Sequence, residues 1–143
     1  FGAQTLDYLP PVESRLGSEE LRTRYPLELV SPKGDGSLNS TFGNRPDTDA
    51  GTATVSMHQA DAAARGIATG DRVRLFNGRG SCVLVAEVNG AVKPGVACTR
   101  SVRWGKMAPD GRNVNVLTSD RLTDLGGGPT FYSCLVEIEK CGD

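Results

Sequence analysis

The chain has 143 residues, of which 38% are hydrophobic and 23% are charged, and its formal net charge is −1. This length and composition predict one globular domain with its own core, and the missing basic excess argues against a nucleic-acid surface. No apolar run approaches the roughly eighteen residues of a membrane span, and the first residues show no signal-peptide pattern. The four widely spaced cysteines, interpreted mainly as free thiols, favour a reducing, cytoplasmic setting.

The first 25 residues are predicted to form an extended leader or linker, followed by one domain at residues 26–143. The prolines of "YLPPVES" fix their own φ and keep the preceding residues out of the helical region. "SEELRTRY" favours a single helical turn that begins at Ser18. Few apolar residues anchor this leader, so we expect it to be disordered in isolation. The chain has the character of a fragment of a longer protein, which would be periplasmic if it carried an export signal.

Short strands and tight turns follow from Leu27 onward. "LELV" predicts a strand, and "TATVSM" alternates so that Ala53, Val55 and Met57 share one face. "HQADAAARG" predicts a helix that ends at Gly66. "ATGDRVRLFNGRGSCVLVAEVNGAVKPGVACT" predicts three strands, with hairpin signals at "NGRG" and "NG" and a type II turn at "KPG". "SCLVEIEK" predicts the last strand.

This pattern of many short strands with one or two short helices is typical of a mainly β protein. A small closed β-barrel is favoured over a β-sandwich, because closure removes the open edge strands that invite aggregation. We expect the isolated domain to be a monomer.

Side chains that carry catalysis are sparse. His58 is the only histidine, and it stands at a strand-to-helix junction, where a role at the helix start is commoner than catalysis. Cys82, Cys98 and Cys134 lie in apolar runs without any C-x-x-C pair, so we interpret them as core residues rather than metal ligands. The sequence therefore predicts neither a catalytic residue nor a metal ligand in this chain.

Two segments combine glycines with short polar side chains: "SPKGDGSLNSTFGN" at residues 31–44 and "NVNVLTSDRLTDLGGGPTFY" at residues 113–132. Neutral donors and acceptors with an accessible backbone suit recognition of a large polar ligand, such as a nucleotide or a pterin. The alternative is that both segments are long surface loops without a ligand.

Three stretches carry a resemblance to a known family: "LELVSPKGDGSLNSTFGN", "TATVSMHQADAAARGIATGDRVRLFNGRGSCVLVAEVNGAVKPGV" and "NVNVLTSDRLTDLGGGPTFYSCLVEIE". In this order they resemble the C-terminal molybdopterin-dinucleotide-binding domain of the molybdopterin oxidoreductases. That group includes dimethyl sulfoxide reductase, formate dehydrogenase and nitrate reductase. The resemblance covers about residues 25–139, and it implies a six-stranded double-psi β-barrel.

The resemblance also implies a cofactor, bis(molybdopterin guanine dinucleotide), whose molybdenum or tungsten is ligated by another domain of the parent oxidoreductase. Both polar segments would face this cofactor, with Lys33 available to a phosphate. The implied cofactor-binding residues are Ser31, Lys33, Ser37, Asn39, Ser40, Asn115, Thr118, Asp124 and Tyr132. The isolated domain is expected to be folded but inactive, because the redox chemistry belongs to the cofactor.

One departure from the family concerns the loop that follows the first strand. Relatives often carry a histidine between the lysine and the asparagine, where this chain has Asp35 and Gly36. Arg100 and Arg103 offer positive charge that would offset the acid, although arginines on a solvated strand are commoner. The alternative function is a double-psi barrel that serves as a protein-interaction or substrate-recognition module.

Overall fold

Within the residues that the structure describes, six strands close into a barrel and short helices fill the connections. The computed structural model describes residues 8–34, 38–123 and 126–142. The strands are β1 (Leu27–Val30), β2 (Thr54–Met57), β3 (Arg72–Phe76), β4 (Ser81–Val88), β5 (Val96–Cys98) and β6 (Leu135–Lys140). The α-helices are α1 (Glu19–Arg24), α2 (Pro46–Thr52) and α3 (Gln59–Ala63), and the 3₁₀ helices are η1 (Gly105–Met107) and η2 (Val114–Leu117).

The order of strands around the barrel is β1-β5-β2-β4-β3-β6, which returns to β1. The pairs β1/β5 and β2/β4 are parallel, while β1/β6, β2/β5, β3/β4 and β3/β6 are antiparallel. Exchanging β1 with β4, β2 with β5 and β3 with β6 leaves every pairing unchanged, so the barrel has an internal two-fold symmetry of connectivity. This is a double-psi β-barrel, which confirms the expected fold and excludes the sandwich.

The core lies inside the barrel and is filled by alternate residues of the strands. Val55 and Met57 on β2 and Val73 and Leu75 on β3 are fully buried, as the alternation of their strands predicts. Their neighbours Arg72 and Arg74 lie on the outer face, where the Arg74 guanidinium bonds Glu139 of β6 at 2.8 Å. Since every strand is paired on both sides, the barrel has a complete core and no open edge of its own.

Several local signals are confirmed at the predicted residues. Ser18 caps α1, because its hydroxyl accepts a hydrogen bond from the Leu21 N–H at 3.3 Å. His58 caps α3 through Nδ1, which accepts from the Ala60 N–H at 3.1 Å, so it serves at the helix start as expected. In the "KPG" turn, Gly95 has a φ of +79°. The Val96 N–H donates to the Lys93 carbonyl at 3.2 Å, which closes the turn.

One hairpin prediction is wrong. The "NGRG" turn does join the antiparallel neighbours β3 and β4, but "NG" at residues 89–90 does not join a pair. Strand β4 pairs with β2 and β3, while β5 pairs with β1 and β2. The chain turns after β4 as predicted, but closure of the barrel assigns the next strand to partners that are distant in sequence.

The leader segment contacts the barrel along residues 13–25. Glu28 on β1 accepts hydrogen bonds from both the backbone N–H and the Nε of Arg15, at 2.9 and 2.8 Å. Tyr25 is buried and packs edge-on against Phe76, with ring centroids 6.4 Å apart. Residues 1–7 lie outside the described part, and the disorder expected for the leader in isolation stays a prediction. No helix among the described residues is both long and apolar enough to cross a membrane.

Two of the cysteines predicted to lie in the core are buried, and the third is not. Cys82 and Cys134 are buried, whereas Cys98 on β5 is half-buried, and all four cysteines are free. Burial raises the pKa of the Cys82 thiol from 9.0 to about 12 and that of Cys134 to about 11. These two side chains therefore behave as small apolar core residues.

Cysteine reactivity is expected to follow this burial. At about pH 8, iodoacetamide should label the half-buried Cys141 and leave Cys82 and Cys134 intact in the folded chain, because the thiolate is the nucleophile. The unfolded chain loses these thiol protons first, so their stabilising effect is complete below about pH 9 and declines as the pH rises toward 12. Peptide mass spectrometry measures the labelling; equal rates at Cys82 and Cys141 would contradict this assignment.

Candidate cofactor-binding cleft

A cleft of about 570 Å³ opens at one side of the barrel, between the two polar segments singled out in the sequence. Three pieces of chain form it: the loop after β1, the loop after β5, and the stretch from η2 to β6. Its lining residues are Ser31, Lys33, Asn39, Ser101, Val102, Asn115, Thr118, Ser119, Phe131 and Tyr132.

The first side of the cleft is built by the continuation of two parallel strands. Because β1 and β5 run side by side, the loops that follow them leave the barrel together. The Ser101 N–H donates to the Pro32 carbonyl at 3.0 Å, and the Ser101 hydroxyl donates to the Ser31 carbonyl at 3.3 Å. Lys33 forms a further parallel bridge with Ser101. These bonds fix the backbone that carries the Ser31 and Lys33 side chains.

The loop at residues 38–45 is held in place by Trp104. The Trp104 Nε1 donates to the Ser40 carbonyl at 2.6 Å. Gly43 lies so close to the indole that a Cβ there would be 2.3 Å from Trp104 Cδ1. Asn39, which lines the cleft, has a φ of +54°, in the left-handed region that asparagine tolerates. Trp104 therefore determines where the Asn39 end of the loop lies.

A partly buried ion pair anchors the chain next to Trp104. Arg103 donates two hydrogen bonds to the Asp49 carboxylate, at 2.6 and 2.9 Å, and the two side chains are 12% and 16% exposed. Asp49 raises the pKa of Arg103, so this guanidinium stays charged. Arg103 is therefore not an exposed arginine on a solvated strand, because Asp49 accepts hydrogen bonds from two of its three nitrogens. The expectation that Arg103 offsets Asp35 stays a prediction. Asp35 itself lies outside the described residues.

The second side of the cleft is formed by η2 and the residues after it. The Asn113 side chain starts η2 by accepting from the Asn115 N–H at 3.0 Å, and its amide donates to the Arg103 carbonyl at 2.9 Å. The Thr118 hydroxyl donates to the Asn115 carbonyl at 3.0 Å. This second contact of Arg103 ties η2 to the loop after β5, so the two sides of the cleft are connected.

An aromatic pair stands at the rim of the cleft. The rings of Phe131 and Tyr132 have centroids 4.2 Å apart at an interplanar angle of 44°. Tyr132 is 72% exposed. The exposed ring offers a flat surface on which a planar heterocycle can stack.

The donor set of the cleft fits a large phosphate-bearing ligand. Among the described residues, Lys33 is the only charged side chain in the lining, and it forms no ion pair with any of them. The remaining polar lining consists of hydroxyl and amide groups, and the exposed tyrosine adds an aromatic face. An unpaired ammonium suits a phosphate, and neutral donors and acceptors suit the edges of a pterin or a purine. Within the described part of the lining, no side chain offers a thiolate or a carboxylate to a metal ion.

Six of the nine residues implied by the resemblance meet in this cleft: Ser31, Lys33, Asn39, Asn115, Thr118 and Tyr132. Ser40 does not line it and instead contributes its carbonyl to Trp104. Ser37 and Asp124 lie outside the described residues.

Four lining residues are not among the nine implied by the resemblance: Ser101, Val102, Ser119 and Phe131. The first two follow β5 in a stretch of which only the arginines were singled out, and their place beside Ser31 depends on the parallel pairing of β1 with β5. Arg100 lines a separate cavity, together with Glu87 and Cys98.

The chain is similar in sequence to one known domain family and to several oxidoreductases. The model of the family described as "Molydopterin dinucleotide binding domain" matches residues 27–135. Probable oxidoreductase YoaE of Bacillus subtilis is 39% identical over 118 residues, which are 81% of this chain and 17% of that protein. Dimethyl sulfoxide reductase DmsA of Escherichia coli is 33% identical over 138 residues, which are 93% of this chain and 17% of that protein.

A solved structure has the same fold. Acetylene hydratase from Pelobacter acetylenicus superposes with a TM-score of 0.78 at 21% identity, over 94% of this chain and 21% of that one. The chain thus spans about one sixth of the length of the sequence relatives named above, with 17% of each covered. With its barrel and the family match from residue 27 to 135, the chain belongs to the molybdopterin-dinucleotide-binding domains of the dimethyl sulfoxide reductase family of oxidoreductases.

Proposed function

We propose that this chain binds and orients bis(molybdopterin guanine dinucleotide) in a larger oxidoreductase, whose molybdenum or tungsten ion is ligated by another domain. The observation that carries the proposal is the convergence of Lys33 with hydroxyl, amide and aromatic groups in one cleft of about 570 Å³. The family match supports the dinucleotide as the ligand class.

Each group in the cleft has a role in this proposal. Lys33 binds a phosphate of the dinucleotide, because its ammonium is exposed and has no carboxylate partner among the described residues. Ser31, Asn39, Asn115 and Thr118 hydrogen-bond the polar edges of the cofactor, and the Tyr132 ring covers a planar part of it. Ser37, Ser40 and Asp124 stay predictions as further contacts.

The chain's own contribution is to position the cofactor and exclude water from it. When bound, the cofactor supplies the redox chemistry of the parent enzyme, and this chain supplies hydrogen bonds, a positive charge and a rigid support. The barrel suits this role because its strands have no free edge and the cleft backbone is fixed by bonds between the loops after β1 and β5.

The rest of the parent enzyme is the proposed protein partner. The chain spans 17% of the length of relatives such as DmsA, so most of the cofactor's enclosure belongs to other domains. Residues 1–25 would form the leader from the preceding domain, and residues 26–143 the cofactor-binding barrel. The isolated barrel is proposed to be a monomer without turnover of its own.

The test is an NMR titration of the chain with guanosine diphosphate and with a pterin phosphate. Affinities in the millimolar range are expected, because only one side of the binding site is present. Amide shifts should map to residues 31–34, 38–44, 113–123 and 126–132. Shifts confined to another surface would favour the protein-interaction module, and the absence of any response at saturation would overturn the proposed site.

Replacing Lys33 with glutamine should weaken binding of guanosine diphosphate about fivefold to tenfold, because a charge-assisted contact to phosphate is lost. The same titration measures the effect. Lys93→Gln is the matched control, since Lys93 is exposed in the turn before β5 and does not line the cleft. The role of Lys33 is contradicted if both variants bind as the unmodified chain does.

A further inference from the structure

The carbonyl of Leu117 receives hydrogen bonds from three side chains. Asn77 Nδ2 donates to it at 2.9 Å, Arg79 Nε at 2.8 Å, and the Cys134 thiol at 3.2 Å. A carbonyl oxygen has two lone pairs, so these three donors share them and leave none for a further donor. Leu117 is the last residue of η2 and directly precedes Thr118, which lines the cleft.

Arg79 also connects this carbonyl to the leader. Its two terminal nitrogens donate to the two carboxylate oxygens of Glu13, at 2.7 and 2.6 Å. One guanidinium thus uses all three of its nitrogens, one on η2 and two on the leader. The geometry is the bidentate fork that arginine forms with carboxylates, and a lysine cannot reproduce it.

The turn that carries Arg79 packs directly against η2. Asn77 fixes this turn, because its side-chain oxygen accepts from the Arg79 N–H at 3.0 Å. At Gly80, a Cβ would lie 3.2 Å from the carbonyl oxygen of Val116 in η2. The "NGRG" segment therefore forms the turn between β3 and β4 and also packs against η2, which forms one side of the cleft.

Glu13 is the carboxylate that balances a cluster of arginines. Among the described residues, it is the one acid lining a cavity of about 200 Å³ that Arg24, Arg79 and Arg121 also line. Without it, three guanidinium groups would face the cavity with no counter-charge, which disfavours the present position of Arg79. Glu13 lies upstream of the residues matched by the family model, which begin at 27.

We propose that Arg79 is a positioning residue for the cofactor cleft. Its hydrogen bond to the Leu117 carbonyl keeps η2, and hence Asn115 and Thr118, in position. Because Glu13 binds the same guanidinium, the position of η2 also depends on whether the leader is docked on the barrel. The leader would thereby couple the position of the preceding domain to the shape of the cleft. This inference rests on the proposed function for its consequence in binding, but its structural step is independent of any ligand.

The structural step is tested by amide hydrogen exchange on the ligand-free chain. The reporters are the Val116 N–H, bonded to the Asn113 carbonyl at 3.1 Å, and the Thr118 N–H, bonded to the Asn115 carbonyl at 3.3 Å. We expect Arg79→Ala to raise their exchange rates about tenfold and Glu13→Gln about threefold, because local opening of η2 becomes easier. Amides of β4 serve as the internal reference for global unfolding.

A second arginine–glutamate pair, between β3 and β6, provides the matched control. Arg74 bonds Glu139 at 2.8 Å on the outer face of the barrel, and this arginine–glutamate pair joins β3 to β6. Arg74→Ala and Glu139→Gln should leave the Val116 and Thr118 rates within about twofold of the unmodified chain. Arg79→Lys keeps the charge but loses the fork, so it should restore only part of the protection.

The consequence for binding is measured by titrating the same variants with guanosine diphosphate. Arg79→Ala should bind about fivefold more weakly, and Glu13→Gln should show a smaller loss in the same direction. If the unmodified chain binds and Arg79→Ala binds equally well, the inference is overturned while the proposed function stands. If nothing binds, the proposed function fails, and the exchange rates alone decide: unchanged Val116 and Thr118 rates in Arg79→Ala overturn the positioning role.

Discussion

Replacing Leu75 with alanine is expected to lower the free energy of unfolding by about 3 kcal/mol. Leu75 lies on β3 with no exposed surface, and it is one of the largest fully buried side chains of the barrel. A closed barrel cannot collapse around the lost atoms, because each strand is held by a partner on both sides. Urea unfolding followed by circular dichroism measures the change, and the midpoint should fall while the slope stays constant.

Leu16→Ala is the matched control for this core substitution. Leu16 is 68% exposed in the leader, so the same change of side chain should alter the free energy of unfolding by less than about 0.5 kcal/mol. A loss below about 1 kcal/mol for Leu75→Ala would show that the barrel interior relaxes to fill the cavity.

Replacing Gly43 with alanine is expected to displace the loop at residues 38–45 and to weaken binding of guanosine diphosphate about tenfold. The new Cβ would lie 2.3 Å from Trp104 Cδ1 and 2.4 Å from Nε1, so either the loop or the indole must move. Movement of either breaks the 2.6 Å bond from Trp104 to the Ser40 carbonyl and shifts Asn39 in the cleft. The overlap should also cost about 1–3 kcal/mol of stability.

Trp104 reports this displacement directly, because it is the only tryptophan in the chain. Its emission should move to longer wavelength in Gly43→Ala as the indole gains contact with water. Gly90→Ala is the control: a Cβ there meets no atom within 4 Å, so emission and affinity should stay unchanged. Unaltered emission and affinity in Gly43→Ala would mean that Trp104 does not position the loop.

Local structure was predictable wherever its cause lies within a few residues. The Lys93–Val96 turn follows from a proline and a glycine that each favour one turn position, and the observed hydrogen bond of 3.2 Å is the expected one. The burial of Val73 and Leu75 follows from alternation along one strand. His58 starts α3 because its side chain reaches an N–H two residues on.

Predictions failed where the cause lies in distant parts of the chain. Asn89 and Gly90 follow β4, yet barrel closure brings β5 against β1 and β2 rather than β4. Helix α2 begins with Pro46 but lacks a side-chain cap, so its sequence carries little signal of its own. A solvated strand was the commoner interpretation of Arg103, whereas Asp49, 54 residues away in sequence, accepts two hydrogen bonds from its guanidinium.

The sequence by itself determined the strands, the turns and the kind of chemistry that the two polar segments offer. Their residue types already indicated hydrogen bonding to a large polar ligand, because this property belongs to the side chains, whereas a phosphate contact of Lys33 was implied only by the family resemblance. Only the tertiary structure decided that Lys33 and Thr118 line one cleft. The physical reason is that β1 and β5 are parallel neighbours, and that Asn77 and Arg79 hold η2 from a turn some forty residues away. Such contacts depend on barrel closure, which no local stretch of sequence encodes.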